Sequence, residues 1–182
     1  MVGDVLVRVM RADEWAQARA VCIDAFQDPG IPVLLDLLRT SWSWHDDLAF
    51  VAEVDGAIAG MVLYTSSFVD APDRVVDVLV LSPVGVRRDL QHRGIGHRLI
   101  TESLQAVAAT RPEPLVFLEG IPSYYPRFGF RLAADMGFTP ASTRIPRAAF
   151  MAYPLPSYEP SLRGALVYAD AFWRADGVGL RE

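Results

Sequence analysis

The 182 residues carry 17 basic and 22 acidic side chains, a formal charge of -5, with 52% hydrophobic and 21% charged residues. This is ordinary globular composition and excludes a disordered chain. The acidic balance also argues against a broad nucleic-acid surface, which needs an excess of cations over phosphates.

Val5-Leu6-Val7-Arg8-Val9 is short and β-branched, and reads as a first strand. Asp13 can cap a helix from Glu14 to about Phe26, on which Trp15, Ala18, Val21, Cys22 and Ala25 recur at three and four. Asp28-Pro29-Gly30 stops it, and a second helix is predicted over Pro32 to Arg39. Phe50 to Val54 and Ala57 to Tyr64 flank Asp55-Gly56, the strongest short-range hairpin signal. Arg74 to Leu81 reads as a strand continuing through Pro83 to Val86. A glycine-containing loop then leads into a long helix, about Gly94 to Thr110, with Ile95, Leu99, Ile100, Leu104 and Val107 on one stripe. Leu115 to Leu118 is a buried strand, Tyr124 to Phe130 turns into a new segment, and late strands are predicted at Phe150 to Tyr153 and Gly164 to Tyr168. The order predicts an α/β (α+β) fold with a largely antiparallel sheet.

One domain spanning 1–182 is expected at this length. Met1-Val2-Gly3-Asp4 shows neither a basic nor a long apolar leader region, and no apolar run approaches the roughly 20 residues that cross a bilayer. The expectation is a cytoplasmic protein with no membrane partner. The single cysteine, Cys22, excludes an intramolecular disulfide, and no Cys and His cluster has metal-ligand spacing, so no metal is expected. Cys22 lies on an apolar helix face, where a free thiol is ordinarily a small hydrophobe and not a nucleophile.

The chemistry concentrates where the strand ending at Val86 meets Gln91-His92-Arg93-Gly94-Ile95-Gly96. Glycines allow close backbone approach, and the free N–H groups of a helix N-terminus favour an anion such as pyrophosphate. The spacing lacks the third glycine of a dinucleotide fingerprint, and Gly96 is followed by His97-Arg98 where a P-loop needs Lys-Ser/Thr.

Leu81-Ser82-Pro83-Val84-Gly85-Val86 followed by Gln91-x-x-Gly94-x-Gly96 resembles motif A of the GNAT superfamily of acyl-CoA N-acyltransferases, with Gly85 standing where alanine is usual. Tyr125-Pro126-Arg127-Phe128-Gly129-Phe130 resembles the family's Tyr-x-x-x-Gly-Phe motif B, and the doubled Tyr124-Tyr125 is similar to a group of small bacterial acetyltransferases. The resemblance implies a V-shaped splay between two central strands, with pantetheine in the gap. Backbone of Val84, Gly85 and Val86 would pair with it, and Gln91, His92, Arg93, Gly94, Ile95 and Gly96 would hold the pyrophosphate of acetyl-CoA. It implies acetyl transfer to a primary amine on a small molecule or peptide, and a possible homodimer. A coenzyme-binding sensor or interaction module without catalysis is the alternative on the same fold.

By the same resemblance Tyr125 is the general acid, with Tyr124 its rival by a one-residue slip; without the glycine motif upstream both would read as packing aromatics. Asp70, Asp73, Asp77 and Glu119 are the candidate bases, of which Glu119, just after its strand, is preferred. Trp42, Trp44, Tyr64 and Phe68 are candidate acceptor-pocket residues, or ordinary core. His45, His92 and His97 are isolated and carry no assignment as acid or base.

Overall fold

A computed structural model describes residues 4–177; Met1, Val2 and Gly3, read above for a leader, lie outside the described residues. In chain order the elements are β1 (Val5–Val9), α1 (Trp15–Phe26), α2 (Gly30–Arg39), β2 (Ala49–Val54), β3 (Ala57–Asp70) and β4 (Val75–Val86). There follow α3 (Ile95–Thr110), β5 (Leu115–Glu119), β6 (Arg131–Leu132), β7 (Phe138–Thr139), β8 (Phe150–Pro154), β9 (Gly164–Val167) and α4 (Asp170–Arg174). The strands form one sheet in the order β1-β2-β3-β4-β5-β8-β6, with β9 bridging the far end of β3 to β7. Pairing is antiparallel except for β4 with β5 and β7 with β9, so the mixed, largely antiparallel α/β expectation holds.

Both faces of the sheet are covered. Met61, Val80 and Phe117 pack under α1, α2 and α4, while Val62, Leu79 and Val116 pack under α3. Double coverage explains why β2 to β5 read as near-continuous apolar runs, since each successive side chain is buried on one face or the other. Fully burying a Leu or Phe in such layers is worth roughly 1.5–3 kcal/mol, and Leu35, Leu38, Leu99 and Phe117 are all fully buried.

Several boundaries differ from expectation for local reasons. Asp13 caps nothing: a 3₁₀ turn over Ala12–Glu14 precedes α1, and Glu14 is held there by the Arg8 guanidinium. Helix α1 ends as Gln27 enters the left-handed region (φ 53°), and α2 begins at Gly30 because Asp28 Oδ1 accepts the Gly30 N–H at 2.7 Å. Asp55-Gly56 turns the β2–β3 hairpin at φ 50° and 77° as expected. Strand β3 runs six residues past Tyr64, to Asp70, paired with β4 as far as Asp70 with Val75 and joined on its other edge by β9 at Phe68 to Asp70. Helix α4 and the two-residue strands β6 and β7 were not anticipated.

The sheet parts between β4 and β5. They pair only at Leu79 with Val116 and Val80 with Phe117. Beyond that point β4 keeps its register with β3, interrupted by a bulge in which Ser82 and Pro83 together face Leu63. Strand β5 meanwhile pairs with β8 through Glu119. Bulges bend a strand and re-aim its side chains, and this one sits where β4 leaves β5.

Candidate active site

The parted strands bound a cleft of about 790 Å³ whose walls include Leu81 to Val86 of β4, the turn into α3, and Glu119 to Ile121 at the end of β5. Strand β4 uses its β3-facing backbone as far as Val86, which pairs with Gly60. Among the described residues, its β5-facing edge has no strand partner beyond Val80. A second extended group laid in the gap would find backbone donors and acceptors available, as an added strand does.

At the α3 end, Gly94 is the N-cap with φ 84°, and a Cβ there would meet nothing within 4 Å. The requirement for glycine is therefore conformational, not steric. His92 also lies in the left-handed region, at φ 61°. Gln91 Nε2 donates to the Val86 carbonyl at 3.0 Å, tying the loop back to the strand it leaves. Gln91, His92, Gly94, Ile95 and Gly96 all line the cleft, and the first N–H groups of α3 open into it. Arg93 is exposed and does not line it.

Gly85 lines the cleft through its backbone, and its missing side chain serves another purpose. A Cβ would lie 3.0 Å from Ala25 Cβ and 3.3 Å from Cys22 Sγ. Glycine lets α1 lie directly on β4, which gives a physical reason for the departure from alanine noted above. Cys22, pressed into this contact, has its thiol pushed up to about 12 by burial and is inert packing.

Tyr124 and Tyr125 both line the cleft, edge to face at 5.2 Å. The Tyr124 hydroxyl reaches toward the first turn of α3: a Cβ on Gly96 would sit 3.6 Å from it. The Arg127 guanidinium lies 4.8 Å over the Tyr124 ring, and burial raises the Tyr124 hydroxyl above its ordinary value. Tyr125 instead lays its ring against Gly120, so closely that a Cβ there would fall 2.2 Å from its Cε2. Deeper burial pushes the Tyr125 hydroxyl up to about 12, so it stays protonated at neutral pH.

Of the four carboxylates considered, Glu119 lines the cleft; Asp70, Asp73 and Asp77 are exposed and line none of it. Alternation along β5 puts Leu115 and Phe117 on the α1/α2 face, and Glu119 shares that face. Its Oε1 accepts the Tyr168 O–H at 2.6 Å. The residue keeps solvent contact, yet its carboxylate lies against the protein; burial raises its pKa, and the Tyr168 hydrogen bond opposes the rise.

The aromatic acceptor wall expected from Trp42, Trp44, Tyr64 and Phe68 is not assembled at the cleft. Tyr64 is fully buried under α3 with its hydroxyl 2.7 Å from Ser103 Oγ. Trp44 packs edge to face on Trp15 at 5.4 Å, and Trp42 stacks on Phe68 at 5.1 Å, all away from the cleft lining. The side chains present on the α1/α2 side are Phe26 and Ile31, which sequence reading missed. Phe26 follows the α1 stripe by one residue, and Ile31 hides behind the assumption that α2 begins at Pro32. His45 is distant from the cleft lining, bonded through Nε2 to Ser66 Oγ at 2.7 Å.

A family model described as an acetyltransferase (GNAT) domain matches residues 6–133. An Escherichia coli (strain K12) protein described as uncharacterized N-acetyltransferase YjhQ is 31% identical over 128 residues, 68% of this chain and 69% of that one. Among solved structures, the Escherichia coli GNAT family N-acetyltransferase YhbS in complex with CoA superposes with a TM-score of 0.82 at 23% identity, over 94% of this chain and 93% of that one. A Brucella melitensis GNAT family acetyltransferase in complex with acetyl-CoA gives 0.74 at 25% identity, over 93% and 99%. With the parted strands, the glycine turn into α3 and the family match coinciding, the chain belongs to the GNAT family of acetyltransferases.

Proposed function

We propose that the protein is an acetyl-CoA-dependent N-acetyltransferase that acts on a primary amine by direct attack, with no acyl-enzyme. The observation that carries this reading is the cleft itself: an unpaired β4 edge, an α3 N-terminus, a tyrosine and a carboxylate open into one space. The available edge of β4 suits the two pantetheine amides, and the N–H groups at Gly94 to Gly96 suit its pyrophosphate. Bound CoA and acetyl-CoA in the two related structures support the same use of the fold. The described residues hold no cluster of side chains fit to bind a metal, and no step here calls for one.

In the reaction the amine nitrogen forms a bond to the thioester carbonyl carbon, the carbon–sulfur bond breaks, and the thiolate takes a proton. A backbone N–H near Val84 would face the developing oxyanion. Tyr125 is assigned as the proton donor, because its ring lies at the end of β5 where the strands part, whereas the Tyr124 hydroxyl is directed to the first turn of α3. Glu119 is assigned as the base that relieves the incoming ammonium of its proton, since its carboxylate shares the cleft and burial raises its pKa, which makes it a stronger base than a solvated carboxylate. The alternative, coenzyme binding without turnover, shares every feature but these two roles.

Calorimetric titration with acetyl-CoA, beside thiol release with added amines, tests the reading. Micromolar binding that is lost when Gly94 and Gly96 are both replaced by Val, together with turnover that falls in Tyr125→Phe at unchanged coenzyme affinity, is the expected result. Absence of binding to the native protein would overturn it. Binding with no thiol release from any amine would favour the non-catalytic alternative, and loss of turnover in Tyr124→Phe alone would exchange the two tyrosines.

A further inference from the structure

Resting on the transferase reading, we infer that the acceptor is a monoamine carried on an apolar body and lacking a carboxylate, such as an arylalkyl or alkyl amine. The cleft passes between the strands, and its two sides differ in chemistry. On the α3 side stand His92, His97 and Arg127, with the N-terminus of α3; Arg127 belongs there because it lies over Tyr124, and His97 because its ring is 5.0 Å from Phe128 under the same helix. On the α1/α2 side stand Phe26, Ile31 and Glu119. Ile121, which follows Glu119 out of the sheet, is 64% exposed at the rim.

Among the described residues lining the cleft, the guanidinium of Arg127 is on the α3 side with the two imidazoles, and Glu119 is the carboxylate on the other. Tyr168 occupies Oε1 of Glu119, and no second hydrogen bond to that carboxylate is formed among the described residues, so Oε2 is available to an ammonium. Phe26, 44% exposed at the last turn of α1, and Ile31, in the first turn of α2, offer apolar surface that the fold itself leaves uncovered. An apolar amine would cover both and place its nitrogen by Glu119. An amino acid would bring a carboxylate to a wall with no partner for it, next to a like charge. A polyamine would lay its second ammonium on Phe26 and Ile31. The net charge of -5 steers cations toward the protein in general, so the discrimination against polyamines must come from this wall.

The experiment measures thiol release from acetyl-CoA with 2-phenylethylamine, L-phenylalanine, spermidine and a short peptide with a free N-terminus. Acetyl-CoA binding is followed by calorimetry on the same preparations. The expected kcat/KM for 2-phenylethylamine exceeds each of the others by about tenfold or more, the range over which a misplaced polar group is rejected by an apolar wall. Phe26→Ala and Ile31→Ala are expected to raise KM for 2-phenylethylamine several-fold with acetyl-CoA affinity unchanged. Ile31→Arg is expected to shift the ratio of the two aromatic substrates toward L-phenylalanine. Equal or better turnover of L-phenylalanine, spermidine or the peptide by the native protein would overturn the assignment. So would turnover insensitive to both Phe26 and Ile31. Intact acetyl-CoA binding without thiol release from any of the four amines would overturn the acceptor class alone, whereas loss of acetyl-CoA binding as well would bring down the transferase reading beneath it.

Discussion

The phenolic oxygen of Tyr168 lies 2.6 Å from Oε1 of Glu119, joining residues 49 apart along the chain. Tyr168 follows β9 and is itself buried, so the hydrogen bond ties the end of β5 to a segment beyond residues 6–133, which the family model matches.

Tyr168→Phe should move the acid limb of the kcat profile to higher pH. Burial already holds the Glu119 carboxyl above the usual carboxylate range, and the Tyr168 O–H stabilises its charged form; without that donor the pKa rises further. A base must be deprotonated, so turnover should fall more on the acid side of the profile than on its alkaline side. A uniform loss across the profile would mean that Tyr168 only supports packing.

Gly85→Ala should destabilise the fold, because the new methyl falls 3.0 Å from Ala25 Cβ and presses on Cys22. Overpacking of this kind costs about 1–3 kcal/mol, equivalent to a drop of roughly 2–10 °C in Tm for a chain this long. The double variant with Ala25→Gly should recover most of the loss in a thermal melt; if it recovers none, the contact between α1 and β4 is not the cause.

Gly94→Ala should weaken acetyl-CoA binding without a clash, since the only obstacle is a φ of 84°. An L-residue held in the left-handed region costs about 1–2 kcal/mol, enough for a roughly tenfold loss if the loop gives way instead. Gly94→Asn should lose less, because Asn tolerates that region. Calorimetry on the three proteins reads the order directly.

Glu14→Gln should lower stability at neutral pH but not in strong acid. The Arg8 guanidinium donates to both Glu14 carboxylate oxygens, at 2.8 and 2.6 Å, and the Arg11 N–H adds a third bond at 2.8 Å; the pKa is lowered to about 2, with the Arg8 hydrogen bonds the largest cause. A depressed carboxyl stabilises the fold above its unfolded pKa, near 4.3, and loses that contribution as pH falls through the folded value. The difference between the two proteins should therefore be full above about pH 5, shrink as pH falls toward about 2, and vanish only by about pH 1 in denaturant titrations. At neutral pH it should amount to about 1–3 kcal/mol.

Local signals were legible in the sequence wherever one residue type imposes one geometry. Asp55-Gly56 gave the hairpin, the stripe from Ile95 to Val107 gave α3, and Gln91 to Gly96 gave the cleft's phosphate-like end. What escaped was decided by distant partners. Strand β3 reaches Asp70 paired with β4 on one edge and, at Phe68 to Asp70, with β9 on the other, a pairing across about a hundred residues that no local pattern encodes. Tyr64 and Trp44 were candidate pocket residues because aromatic character alone does not say which side of a sheet a ring will face. Phe26 and Ile31 were missed for the converse reason: apolar residues next to a helix boundary look like packing until the neighbouring strands part. Glu119 was identifiable as a candidate from its place after β5, but the tyrosine that holds it belongs to a segment far along the chain.

The parting of β4 and β5 brings side chains from both faces of the sheet to one cleft, His97 and Arg127 on the α3 side and Phe26 and Ile31 on the other. On the proposed reading, coenzyme lies on the α3 side and acceptor beside α1 and α2, so neither has to leave before the other arrives. Desulfo-CoA should then compete with acetyl-CoA but not with the amine, and a bisubstrate compound in which the amine is joined to the coenzyme sulfur would have to thread the sheet from one face to the other.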